Sequence, residues 1–226
     1  MSKLWLVIIF IIALVFMSFL ANRDTKKQVI FFGDSITQAA VQPHGYITVM
    51  QEMLQQQNIS NYELVGAGIG GNKVYDLYLR MDSDVLSNSP NIVVIYVGVN
   101  DVWHKKTSGT GTDADKFEKF YRAIIAKLEE AGAKVVVCTP AVIGEKNDFT
   151  NELDGDLNKY CSIIRNMTTE LHIPLVDLRK AFLDYEVKNN TANADKGILT
   201  TDGVHLNDKG NQLVAELMWD VIKDIK

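Results

Sequence analysis

Short β-branched runs alternate along this chain with longer amphipathic stretches, and that alternation limits the fold more than any other feature. The runs are QVIFF (28–32), YELVG (62–66), NIVVIYVG (91–98), KVVVCTP (134–140) and IPLVDL (173–178). Helical spacing of apolar residues predicts helices over 46–57, 73–86, 115–132 and 153–171, with a closing helix from Asn207. The run at 91–98 is almost wholly apolar, as a strand covered on both faces must be. Strand–helix alternation at this spacing predicts a parallel sheet between two helical layers, and right-handed crossovers leave few ways to wind it. The expected fold is α/β, a three-layer α/β/α arrangement around an open, flavodoxin-like parallel five-stranded sheet.

The amino-terminal residues 1–27 stand apart. LWLVIIFIIALVFMSFLA (4–21) has neither charge nor proline and lies between Lys3 and NRDTKK. About 18 apolar residues is near the minimum for a membrane-crossing helix, and longer than the core of a cleaved signal. Bulky Phe19 also sits where a cleavage site after Ala21 prefers a small residue, and the segment has no cysteine to take a lipid. A transmembrane anchor is therefore expected in preference to a cleaved signal. Counting Lys3 against Arg23, Lys26 and Lys27 places the body in the cytoplasm. The segment's likeness to an export signal places it outside, and an extracytoplasmic domain is the expectation.

Residues 28–226 suit one domain with a substantial core, and no repeat, low-complexity tract or linker divides them. The net charge of −5 among 226 residues gives no basic face for nucleic acid. Cys138 and Cys161 match no metal spacing and read as buried free thiols, with a single disulfide as the alternative in an exported domain.

In an open parallel sheet, ligands bind beyond the carboxyl ends of the strands. Those ends carry Gly33-Asp34-Ser35, GAGIGGNK (66–73), Gly98-Val99-Asn100-Asp101, and TDGVHLN (201–207) before the last helix. Each block is polar or glycine-rich, and the fold would gather them on one rim. A serine hydroxyl needs a base to take its proton. His205 can do so, and Asp202, three residues earlier, can fix the imidazole tautomer. Asp34 reads as structural and Asp101 as a cap on the following loop. His44, His104 and His172 read as structural or surface residues. Asp177, at the end of the fifth strand, is the rival acid but lacks the short spacing to His205.

With GDS at Ser35, the glycine block at Gly71, GVND at Asn100 and DGVH at Asp202 and His205, the chain resembles the SGNH hydrolases, or GDSL-type esterases and lipases, from about Val29 to the last helix. Two positions depart from the family pattern: GDSI stands for GDSL, and Asn72 follows Gly71 where an acid is common. The resemblance implies a serine esterase with Ser35, His205 and Asp202 catalytic. It also implies an oxyanion hole from the Ser35 and Gly71 N–H groups and the Asn100 amide, and no metal or organic cofactor.

The loops read at 103–115 and 142–156 are polar, with Trp103 as a possible substrate platform and no long apolar lid. A short acyl group, such as acetate on a sugar, is expected, with lysophospholipase or thioesterase activity as the alternative. A catalytically silent carbohydrate-binding relative is a further alternative. The remotest is a dinucleotide-binding oxidoreductase, suggested by Gly66-x-Gly68-x-x-Gly71; no acid ends the next strand to hold a ribose.

Overall fold

A computed structural model describes residues 26–148 and 150–225. The anchor expected at 4–21 falls outside them; among the described residues no helix is long and apolar enough to cross a membrane. Strands β1 (Lys27–Gly33), β2 (Tyr62–Gly68), β3 (Ile92–Tyr96), β4 (Lys134–Cys138) and β5 (Leu175–Val176) form one all-parallel sheet in the order β2-β1-β3-β4-β5. This is the flavodoxin-like order. Around the sheet lie α1 (Ser35–Ala39), α2 (Tyr46–Gln56), α3 (Val74–Asp84), α4 (Val99–Thr107), α5 (Ala114–Glu130), α6 (Asp154–Leu171), α7 (Leu178–Asn189) and α8 (Asp208–Ile222).

Successive side chains of the central strands alternate between two cores. Val29, Phe31, Ile92, Val94 and Val136 face a layer that includes Met50 of α2, Phe182 of α7 and Met218 of α8. Ile30, Phe32, Val93, Ile95 and Val137 face Leu77 of α3, Phe117 of α5 and Ile164 of α6. Every residue of β3 is buried, and each of its aliphatic side chains contributes about 1.5–3 kcal/mol relative to exposure. Cys138 and Cys161 are both free and buried.

Three helices escape the periodicity argument. Helix α1 has five residues, too few to show a repeat. Helix α4 occupies the beginning of the segment read as a loop over 103–115. Its buried residues, Val99, Asn100, Asp101 and Val102, are consecutive rather than spaced by turns. In α7 the inward positions include Arg179 and Glu186, so charged residues interrupt the apolar stripe. The fifth strand shortens to two residues because Asp177 caps α7, its side chain accepting from the Lys180 N–H.

The two buried charges of α7 differ in their partners. Arg179, 1 % exposed, donates to Asp154 at 2.6 Å, to Asn158 at 2.9 Å and to the Ala141 carbonyl at 3.2 Å. Glu186 is fully buried and neither carboxyl oxygen has a hydrogen-bond partner. Burial, then the nearby Glu145 carboxylate and Asp154, push its carboxyl up to about 8, against an opposing pull from Arg179. The fold therefore holds a proton that the unfolded chain releases near the ordinary value of 4.5. Stability from this group is fully present below that value and declines as pH rises toward about 8. Glu186→Gln removes the linkage. It is expected to raise the thermal midpoint at pH 8 by at least ~2–4 °C, corresponding to about 1 kcal/mol, with the gain vanishing near pH 4.5. Parallel melting curves for the two proteins across that range would refute the assignment.

Candidate active site

Ser35 opens α1 directly beyond the end of β1. Asp34 is the helix cap, its carboxylate accepting from the Ile36 N–H at 3.0 Å. Parallel register brings Gly33 opposite Gly68 of β2 and Tyr96 of β3, so the loops after all three strands meet around Ser35. The glycines of β2 serve this packing. A Cβ on Gly66 would lie 2.5 Å from the Val41 side chain, and one on Gly68 would lie 2.1 Å from the Gln38 nitrogen. The pattern that resembled a dinucleotide fingerprint is thus the imprint of the α1 segment lying close on β2.

The TDGVHLN segment brings the other expected residues to the same rim. Ser35 Oγ lies 2.9 Å from His205 Nε2, and His205 Nδ1 lies 2.7 Å from Asp202 Oδ2. Asp202 Oδ1 accepts from the backbone N–H groups of Val204 at 2.9 Å and His205 at 2.8 Å. Burial alone would raise the Asp202 carboxyl, but the His205 ring and these N–H groups outweigh it and hold it below its ordinary value. An ionised Asp202 only accepts, so Nδ1 carries the proton and Nε2 is left to accept from the serine. The rival acid Asp177 is engaged elsewhere. Both its oxygens accept from Arg165 at 2.8 Å, and Thr139 Oγ1 donates to it at 3.1 Å.

The glycine loop lies against the serine: a Cβ on Gly70 would stand 3.9 Å from the Ser35 Cβ. Gly71 has φ +77, a left-handed conformation that favours glycine. Its carbonyl accepts from Lys73 Nζ at 3.0 Å, which orients the peptide. Asn100, buried at the start of α4, donates one N–H of its amide to the Asn72 carbonyl at 3.1 Å. Its second N–H is available to another acceptor. Arg80 braces the strand ends from behind, donating to the carbonyls of Gly33 at 2.7 Å and Ala67 at 3.0 Å and to Asn72 Oδ1 at 2.7 Å. Asn72, where an acid is common, thus serves the loop through both its side chain and its carbonyl.

Two buried carboxyl groups lie below. Burial pushes Asp34 up to about 7, with the charge of Asp101 adding to the effect. Burial likewise raises Asp101 to about 6. Asp101, expected to cap the following loop, holds it through its backbone carbonyl, which accepts from the Thr112 N–H at 3.1 Å. It lies in the first turn of α4, and its carboxylate accepts from the Val74 N–H at 3.2 and 3.3 Å. Trp103 is half-buried and packs against the apolar layer of α2 and α8.

His104 gives more than the expected surface role. One turn beyond Asn100, its Cε1 would lie 3.9 Å from a Cβ on Gly71. Its i+4 spacing from Asn100 was the available signal, hidden because the segment read as a loop. Burial and the Lys73 charge lower its affinity for a proton. His44 and His172 occupy exposed left-handed turn positions.

The model of the GDSL-like lipase/acylhydrolase family matches residues 31–213. Among solved structures, an acetyl xylan esterase called AlAXEase is 62% identical, covering 86% of this chain and 99% of its own, with a TM-score of 0.85. An acetylxylan esterase of Geobacillus stearothermophilus is 26% identical over 69% of this chain and 78% of its own. The uncharacterized lipoprotein YqeF of Bacillus subtilis is 26% identical over 86% and 88%. A match spanning the body of the fold and all four rim blocks makes the conclusion direct: the chain belongs to the GDSL-like lipase/acylhydrolase family.

Proposed function

We propose that this protein is a serine esterase that removes acetyl groups from a xylan-type carbohydrate, with Ser35, His205 and Asp202 as its catalytic triad. The hydrogen-bonded series from Ser35 Oγ through His205 to Asp202, at 2.9 and 2.7 Å, carries the reading. His205 Nε2 takes the Ser35 proton as Oγ bonds to the acetyl carbon, and the carbonyl oxygen becomes an oxyanion. The N–H groups of Ser35 and Gly71 and the free amide N–H of Asn100 are the donors for that charge. Collapse breaks the bond to the sugar oxygen, which leaves with the proton from Nε2. Water then repeats the sequence on the acetyl-enzyme, releasing acetate and restoring Ser35. No step calls on a metal or an organic cofactor.

The carbohydrate assignment is supported by the acetyl xylan esterase that is 62% identical along 99% of its length. It agrees with the openness of the site, where the His205 and Asp202 side chains are 36% and 49% exposed, since a polymer must present its esters at the surface. In this reading Trp103 and His104, neighbours on α4 beyond Asn100, are the side chains offered to a sugar ring. The reading includes a tether at residues 4–21 holding the domain outside the cell, on the strength of that segment's uncharged sequence.

Residues 28–226 are expected to hydrolyse p-nitrophenyl acetate faster than butyrate and butyrate faster than decanoate, and to release acetate from acetylated xylooligosaccharides. Rates that rise with chain length would favour the lysophospholipase or thioesterase alternative. Ser35→Ala is expected to lose at least ~10³-fold in turnover while melting at the wild-type temperature. Asn100→Ala is expected to lose about 10²–10³-fold, the cost of one oxyanion donor; turnover within threefold of wild type would remove it from the hole.

A further inference from the structure

The loop that carries Asp202 and His205 belongs to no helix or strand, yet it must present both side chains to Ser35 with hydrogen-bond accuracy. Among the described residues, Glu145 makes the densest set of contacts to its base. This carboxylate is fully buried. It accepts three consecutive backbone N–H groups, from Ile198 at 2.8 Å, Leu199 at 2.6 Å and Thr200 at 2.8 Å. The backbone beside it makes two more ties: the Gly144 N–H donates to the Gly203 carbonyl at 2.8 Å, and the Glu145 N–H to the Asp195 carbonyl at 2.9 Å. Asn190 in turn holds the Glu145 carbonyl at 2.7 Å. From this anchored point the loop closes on itself. Thr200 Oγ1 accepts from the Gly203 N–H at 3.0 Å, and the Thr201 N–H donates to the His205 carbonyl at 2.8 Å.

We propose that Glu145 is a positioning residue for the triad, its carboxylate fixing residues 198–200 so that Asp202 and His205 stay aligned on Ser35. The inference rests on the triad reading above. A carboxylate suits the task because three converging N–H groups need acceptor lone pairs and no donor. A glutamine in its place offers one carbonyl oxygen and turns an NH2 toward at least one N–H. The Glu145 segment read in the sequence only as polar loop, with no periodicity or motif to single it out. A displacement of about 1 Å at reacting groups can cost on the order of 10²-fold in rate.

The test compares full-length wild type, Glu145→Gln, Asp202→Asn and the double variant on p-nitrophenyl acetate, with a fluorophosphonate counting reactive serines per folded chain. Glu145→Gln is expected to lower kcat about 10–100-fold with KM within about threefold and the serine count unchanged. In the Asp202→Asn background the same change is expected to cost less than about threefold, because the alignment it protects is already lost. Wild-type kcat in folded Glu145→Gln overturns the inference. So does a cost that multiplies in full onto Asp202→Asn, or a loss accounted for entirely by fewer reactive serines. If Glu145→Gln does not fold, Thr200→Val decides: it removes the acceptor for Gly203 N–H, is expected to lower kcat about 3–10-fold with the same non-additivity, and overturns the inference if kcat is unchanged. Wild-type activity that survives Ser35→Ala would instead sink the triad reading itself.

Discussion

The pairing of β1 with both of its neighbours holds the candidate site in place. Gly33, its last residue, is opposite Gly68 on one side and Tyr96 on the other. Ser35 therefore begins where two other loops also begin. A slip of one residue in either register would carry the glycine loop or Asn100 away and turn the strand's side chains toward the wrong helical layer. Such slips are resisted because β1 and β3 are covered on both faces by different apolar sets. The same burial that supplies stability thus fixes the relative positions of the reactive groups.

The electrostatics follow from that burial. The groups at the surface of the site, Asp202 and His205, are partly exposed and linked to each other. Those beneath it, Asp34 and Asp101, are buried and pushed up to about 7 and about 6. Lys73 and Arg80 bring their cationic groups to the backbone carbonyls of the loops bordering the serine.

Most of this was legible in the sequence, and the gaps have physical causes. The sheet was readable because strands buried on both faces are long apolar runs, and five expected strands matched five observed ones. The expected site residues were readable because their motifs end strands or precede a helix. Helix α4 was not, since it buries consecutive residues instead of a stripe, and with it went the place of His104 on the face of Asn100. Helix α7 was missed because Arg179 and Glu186 occupy apolar positions. Glu145 had no local signature at all, because its three partners lie more than fifty positions further on.

That last separation is part of a larger one. Ser35 and His205 are 170 positions apart. During synthesis the serine emerges early, just beyond a strand whose neighbours must still be made, and the histidine that meets it comes only with the stretch that precedes the final helix. In the proposed mechanism, a chain interrupted anywhere before that stretch carries a serine without its base. The nucleophile of that mechanism is thus activated only once the fold is complete.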